Sequence, residues 1–165
     1  MVTVDQLLFA LTLAAALGCG LIAGVFFAFS AFVMKALARL PAGEGIAAMQ
    51  SINVAVINPL FLGVFLGTAA ASLLAMVSAL VRWSDSGAVY LLVGGALYVV
   101  GTFLVTIVFH IPRNDALATV KPADPDAATH WARYVASWTA WNHVRTLAAL
   151  AAAASLSIAL GCASR

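Results

Sequence analysis

Four stretches of this chain, roughly Leu7–Met34, Val54–Val81, Ala88–Ile111 and Val144–Cys162, are nearly free of charge. Each is about as long as a bilayer crossing requires, near 20 apolar residues. No water is available inside lipid to satisfy backbone N–H and C=O groups, so segments of this kind must close their hydrogen bonds internally, as helices. Only 8% of the 165 residues are charged, where a soluble domain carries about 25%. The expectation is an all-α, four-helix transmembrane bundle forming a single integral membrane domain over 1–165, with short amphipathic helices in the loops after spans 1 and 3.

The punctuation between spans supports this reading. Pro41-Ala42-Gly43 is a turn, Glu44–Ile57 resumes a helical pattern, and Pro59 lies in the first turns of the second span. Arg82–Gly87 is a short link with Trp83 at the interface. His110-Ile111-Pro112-Arg113-Asn114-Asp115 is expected to end the third span, since proline disfavours helical geometry at the residue before it. Asn114 or Asp115 would then cap a short helix, and Asp126 the one carrying Trp131 to Arg145. Trp131, like Trp83, reads as an interfacial belt residue. Gly20 with Gly24, and Gly94, Gly95 and Gly101, are candidates for close helix contact. Asp5 is the only early charge and the first apolar run continues to Met34, so an uncleaved span is expected rather than a signal peptide.

Lys35, Arg39, Arg113, Lys121, Arg133 and Arg145 fall on the loop side opposite the termini. By the positive-inside rule that side is cytoplasmic and both termini are outside. The net charge of +2 comes from scattered residues, with no basic block for nucleic acid. Cys19 and Cys162 lie inside spans, where thiols act as small apolar packing groups.

Polar chemistry gathers at this second side. Trp138-Thr139-Ala140-Trp141-Asn142-His143-Val144-Arg145 packs two indoles, an amide, an imidazole and a guanidinium into the foot of the last span. On a helix, Tyr134, Trp138, Trp141 and Arg145 share one stripe, Asn142 lies beside it, and His143 points elsewhere. Asn53, Asn58, His110, Arg113 and Asn114 come from loops on the same face. Polar groups at membrane depth usually face a bundle interior, so a polar, aromatic chamber is expected there.

These residues resemble the anthrone oxygenase-like family of small four-helix membrane proteins. The resemblance rests on Gly24–Ser30 with Met34, on Gly45–Asn53 (GIAAMQSIN), and on Pro112–Leu117 with Trp138–Thr146 (WTAWNHVRT). Lys35 stands where the family has proline, and His110 where asparagine is common. The resemblance implies oxidation of anthrones by dioxygen without metal or flavin, in a bacterial plasma membrane. Such chemistry needs a base, for which His143 and then His110 are the candidates. Asn142 and Arg145 would hold the oxyanion. Trp138 and Trp141 would stack on the substrate rings, with Asn53, Asn58, Arg113 and Asn114 as further substrate contacts. The expected partners are membrane lipids, a polycyclic aromatic molecule and dioxygen, and the architecture also accommodates a homo-oligomer. Two other readings stand beside this one. The first is a non-enzymatic scaffold or lipophile-binding protein. The second is a haem or metal centre ligated by His110 and His143, although no HxxxH, ExxH or CxxC spacing supports it.

Overall fold

The computed structural model describes residues 3–163 and is helical throughout its ordered elements. Four helices are long and apolar enough to cross a membrane: α1 (Val4–Leu37), α3 (Pro59–Val81), α4 (Ala88–Ala118) and α5, which runs from Ala127 to Ala163. A shorter helix, α2 (Ala42–Ala55), fills the first long loop. Contacts run α1–α3, α3–α4, α4–α5 and α5–α1, so the bundle closes in chain order, up and down. Arg165, which closes the last span in sequence, lies outside the described residues.

Several boundaries differ from the sequence expectation for physical reasons. The second span starts at Pro59 rather than Val54. Asn58 caps it, its Oδ1 accepting from Phe61 N at 3.0 Å, and proline occupies the first turn, where a missing N–H costs nothing. The third span does not end at Pro112. It continues to Ala118, because a π-turn at Thr106–His110 precedes the proline and relieves the steric demand on the turn before it. The amphipathic helix expected after span 3 is therefore the end of α4 itself.

The membrane part of the core is built from small residues. Ala15, Ala23, Ala75, Ala149 and Ala152 are fully buried together with Cys19, Tyr98 and Leu156. Lipid supplies no hydrophobic drive between helices, so close van der Waals packing takes its place. Gly101 is one such contact: a Cβ there would sit 2.6 Å from Ala148 Cβ. Gly20 and Gly24 do not serve this purpose, since a Cβ added at either would meet no atom of another helix within 4 Å. They face outward.

A second cluster forms the layer beyond the spans, joining Met34, Ile46, Met49, Leu117, Trp131, Tyr134 and Trp138. Trp131 is only 5% exposed, so it belongs to this core and not to an interfacial belt. Gly45 makes room for it: a Cβ there would lie 2.7 Å from the indole Cε2. Trp83 is exposed, as expected.

Candidate functional site at the Asn142–Arg145 cluster

Where the two core clusters meet, α1, α4 and α5 enclose a set of polar side chains. Asn142 is completely buried, and its side chain makes three of its four possible hydrogen bonds, all to protein. Its Nδ2 donates to Phe26 O and to Ser30 Oγ, both at 2.7 Å, and its Oδ1 accepts from Arg145 Nε at 2.8 Å. Thr146 Oγ1 donates to Asn142 O. The amide thus ties α5 to α1 and fixes the guanidinium.

Arg145 is 6% exposed. Its guanidinium carbon stands 3.7 Å from the Phe26 ring centroid and 5.0 Å from that of Trp138, held by two aromatic faces. Nη1 reaches Thr106 Oγ1 at a long 3.4 Å. No carboxylate balances the charge: Asp5, Glu44, Asp85, Asp115, Asp124 and Asp126 are all exposed, and among the described residues the ion pairs belong to Arg82. An unpaired cation in a low-dielectric interior is costly, and such groups mark functional sites.

His110 lies beside this pair at 1% exposure, its ring edge-on to Trp138 with centroids 5.0 Å apart. Neither Nδ1 nor Nε2 makes a well-formed hydrogen bond, although the Trp141 backbone lies close enough to interact with the ring. Since buried polar atoms are nearly always paired, two orphan nitrogens on one ring require explanation. Trp138 is oriented from its other side, where its Nε1 and the Tyr134 hydroxyl both donate to Asn114 Oδ1, at 3.1 and 2.9 Å.

Asn142, Arg145, His110 and Trp138 therefore meet, with Asn114 positioning the indole. Arg113 and Trp141 stand half-buried at the edge. The Arg113 guanidinium donates to Phe109 O and Ser137 Oγ, and Trp141 stacks on Phe109 with centroids 3.5 Å apart. Asn53 is half-buried and its side chain lies against the Tyr134 hydroxyl without a well-formed hydrogen bond, and Asn58 is occupied as the α3 cap. His143 is exposed on the outer face of α5, lining a surface groove of about 390 Å³ with Lys35 and Thr139. The structure does not bring it to the cluster, so His110 and His143 do not converge on one centre. Among the described residues no group of three or more His, Cys, Asp or Glu side chains is arranged to hold a metal ion.

Sequence reasoning missed Ser30, Thr102 and Thr106 as members of the site. Thr102 Oγ1 donates to Arg145 O. A signal was present, because Thr102, Thr106 and His110 recur every four residues in an otherwise apolar span. What could not be read is that three π-turns, Phe29–Val33, Val99–Leu104 and Thr106–His110, sit at this level of the bundle. Such turns are frequent at functional sites.

The family model described as anthrone oxygenase matches residues 56–155. That range holds His110, Asn114, Trp138, Asn142 and Arg145, and excludes α1, whose Phe26 and Ser30 complete the cluster. No curated protein and no solved structure matches the chain. The matched range covers more than half of the sequence and nearly all of the buried polar cluster, and the chain belongs to the anthrone oxygenase family.

Proposed function

We propose that this protein is a cofactor-independent oxygenase that oxidises a lipophilic, hydroxylated polycyclic aromatic with dioxygen at the membrane. The observation that carries the reading is the juxtaposition of a buried imidazole that makes no well-formed hydrogen bond and a buried guanidinium with no carboxylate. One is a base without a proton partner, the other a cation without a counter-ion. His110 takes a proton from the activated ring CH₂. The electron pair delocalises onto the ring oxygen, and Arg145, held by Asn142, stabilises that oxyanion in a water-poor site. The carbanion passes one electron to dioxygen, and the radical pair joins to give a hydroperoxide. Loss of the second C–H proton breaks the O–O bond and expels hydroxide, which leaves as water once protonated. CH₂ and O₂ become C=O and H₂O, so no outside reductant is needed.

The cluster sits on the side rich in Lys and Arg, which we assign to the cytoplasm by the positive-inside rule. The half-buried Phe109–Trp141 stack must part to admit a tricyclic ring. The test is oxygen uptake and quinone absorbance with an anthrone and purified protein. His110→Ala should lose about 10²-fold or more in kcat, Arg145→Met a comparable factor, and His143→Ala less than about twofold. Loss of activity in His143→Ala with full activity in His110→Ala would move the base to the outer groove. A folded wild type that consumes no oxygen would sink the reading.

A further inference from the structure

Arg145 carries the charge that the chain does not neutralise. A guanidinium stays protonated in proteins, and this one is 6% exposed while the aspartates and the glutamate all lie at the surface. A buried cation without a partner is costly to any fold. Its protein acceptors, Asn142 Oδ1 on Nε and Thr106 Oγ1 on Nη1, are both neutral, and the second stands at 3.4 Å. Nη2 bonds no atom among the described residues. A guanidinium has five N–H donors; two are engaged, so three have no protein acceptor.

The surroundings do not make up the deficit. The Phe26 and Trp138 rings wall the guanidinium, with centroids 3.7 and 5.0 Å from its carbon. Phe26 O and Ser30 Oγ accept from Asn142, and the Trp138 N–H is turned away to Asn114 Oδ1. His110, edge-on to the same indole, adds an imidazole N–H that makes no well-formed hydrogen bond. Donors are therefore in excess, and the uncompensated charge is a single positive one. An ion entering between aromatic walls must shed its water. That penalty is smallest for a large, weakly hydrated anion.

We propose that the cluster binds one monovalent anion on the unused Nη donors of Arg145, with the His110 N–H beside them, and that this ion is the exchangeable counter-ion of the resting protein. Affinity rises as the hydration of the anion weakens, in the order fluoride, chloride, iodide. A divalent anion such as sulfate overshoots the charge and sheds its water at far greater cost. The inference shares its residues with the oxygenase reading, in which an anionic substrate displaces the ion, but the binding itself needs no turnover.

Iodide is the probe, because it quenches indole emission on contact and Trp138 is buried beside Arg145. The full chain carrying Trp83→Phe, which removes the exposed indole at the other end of the bundle, is titrated in neutral detergent. Sodium fluoride holds the ionic strength constant. Quenching should contain a saturable component, which thiocyanate competes away at a concentration about tenfold or more below that of sulfate. Arg145→Met, with helicity unchanged, should lose the saturable component, and Arg145→Lys, which keeps the charge without the planar fork, should bind more weakly but still saturably. In oxygen uptake with an anthrone, iodide should raise KM and leave kcat unchanged. A chain that binds iodide at Arg145 but consumes no oxygen upholds this inference and sinks only the oxygenase reading. Purely linear quenching in the parent chain, a saturable component that survives Arg145→Met, or tighter binding of sulfate than of iodide would overturn the proposal. So would loss of the site on adding phosphatidylglycerol, which would assign it to a lipid phosphate.

Discussion

Removing the Asn142 amide tests whether it is the brace for Arg145. Asn142→Ala deletes two neutral donations, to Phe26 O and Ser30 Oγ, and the acceptor of the Arg145 Nε bond. Neutral side-chain bonds within membrane bundles contribute about 0.6 kcal/mol each. A bond to a charged group contributes about 2 kcal/mol, and losing it here strands a buried donor. The sum is roughly 3 kcal/mol, most of it through the guanidinium. Arg145→Met removes a charge that has no counter-ion, so its own cost is small or even favourable. The two changes should therefore not add. Asn142→Ala should cost about 3 kcal/mol in the wild type but only about 1 kcal/mol in Arg145→Met, a coupling of about 2 kcal/mol, measured by unfolding in mixed micelles with increasing dodecyl sulfate. Additivity within about 0.5 kcal/mol would refute the claim that Asn142 holds the arginine.

Other consequences of the packing can be checked in the same way. Asn114→Ala leaves the Tyr134 hydroxyl and Trp138 Nε1 without their shared acceptor; about 2–4 kcal/mol should be lost, and the tryptophan emission should shift as the indole loosens. Gly45→Ala drives a methyl into Trp131 and should destabilise by about 1–3 kcal/mol. Gly20→Ala meets open space and should be neutral or stabilising by up to about 1 kcal/mol. Equal effects at the two glycines would show that the Gly45–Trp131 contact is not tight. Tyr98→Phe removes the bond to Phe65 O at 3.2 Å and should cost about 0.6 kcal/mol.

The fold was legible because hydrocarbon permits so few alternatives. Four uncharged runs dictate four helices, and the short Arg82–Gly87 link dictates that two of them are antiparallel neighbours. Of the stripe Tyr134, Trp138, Trp141 and Arg145, three turn inward together because α5 is regular there and steps of three and four hold, while Trp141 falls at the edge against Phe109. The sequence also marked His143 as facing away from that stripe, and the structure places it outside. Periodicity failed across the π-turns. Each carries an extra residue per turn, so side chains on either side are out of α-helical register by about 100°. Ser30 and Thr106 reach Asn142 and Arg145 from such turns; the Thr102, Thr106 and His110 spacing marks one polar stripe in α4 but not the partner it meets, and no pattern in α1 marks Ser30. Pro112 misled for the same reason, since the π-turn before it lets the helix pass through. Trp131 misled differently. Its burial depends on Gly45 in a separate helix, a long-range match that local composition does not contain.

The three π-turns lie in α1 and α4, whereas α5 between them runs 37 residues without a proline and with no glycine before Gly161. At 1.5 Å per residue it is an uninterrupted α-helical strut of roughly 55 Å. Helices bend at π-bulges and resist bending elsewhere. The bundle is therefore mechanically unequal around its inner cluster, with one stiff post and two walls that carry their joints at the depth of Ser30 and Thr106. A motion that opened the cluster would fall on those walls: the end of α4, with Phe109 and His110, would swing about Val99–Leu104 while Asn142 and Arg145 kept their place on the post.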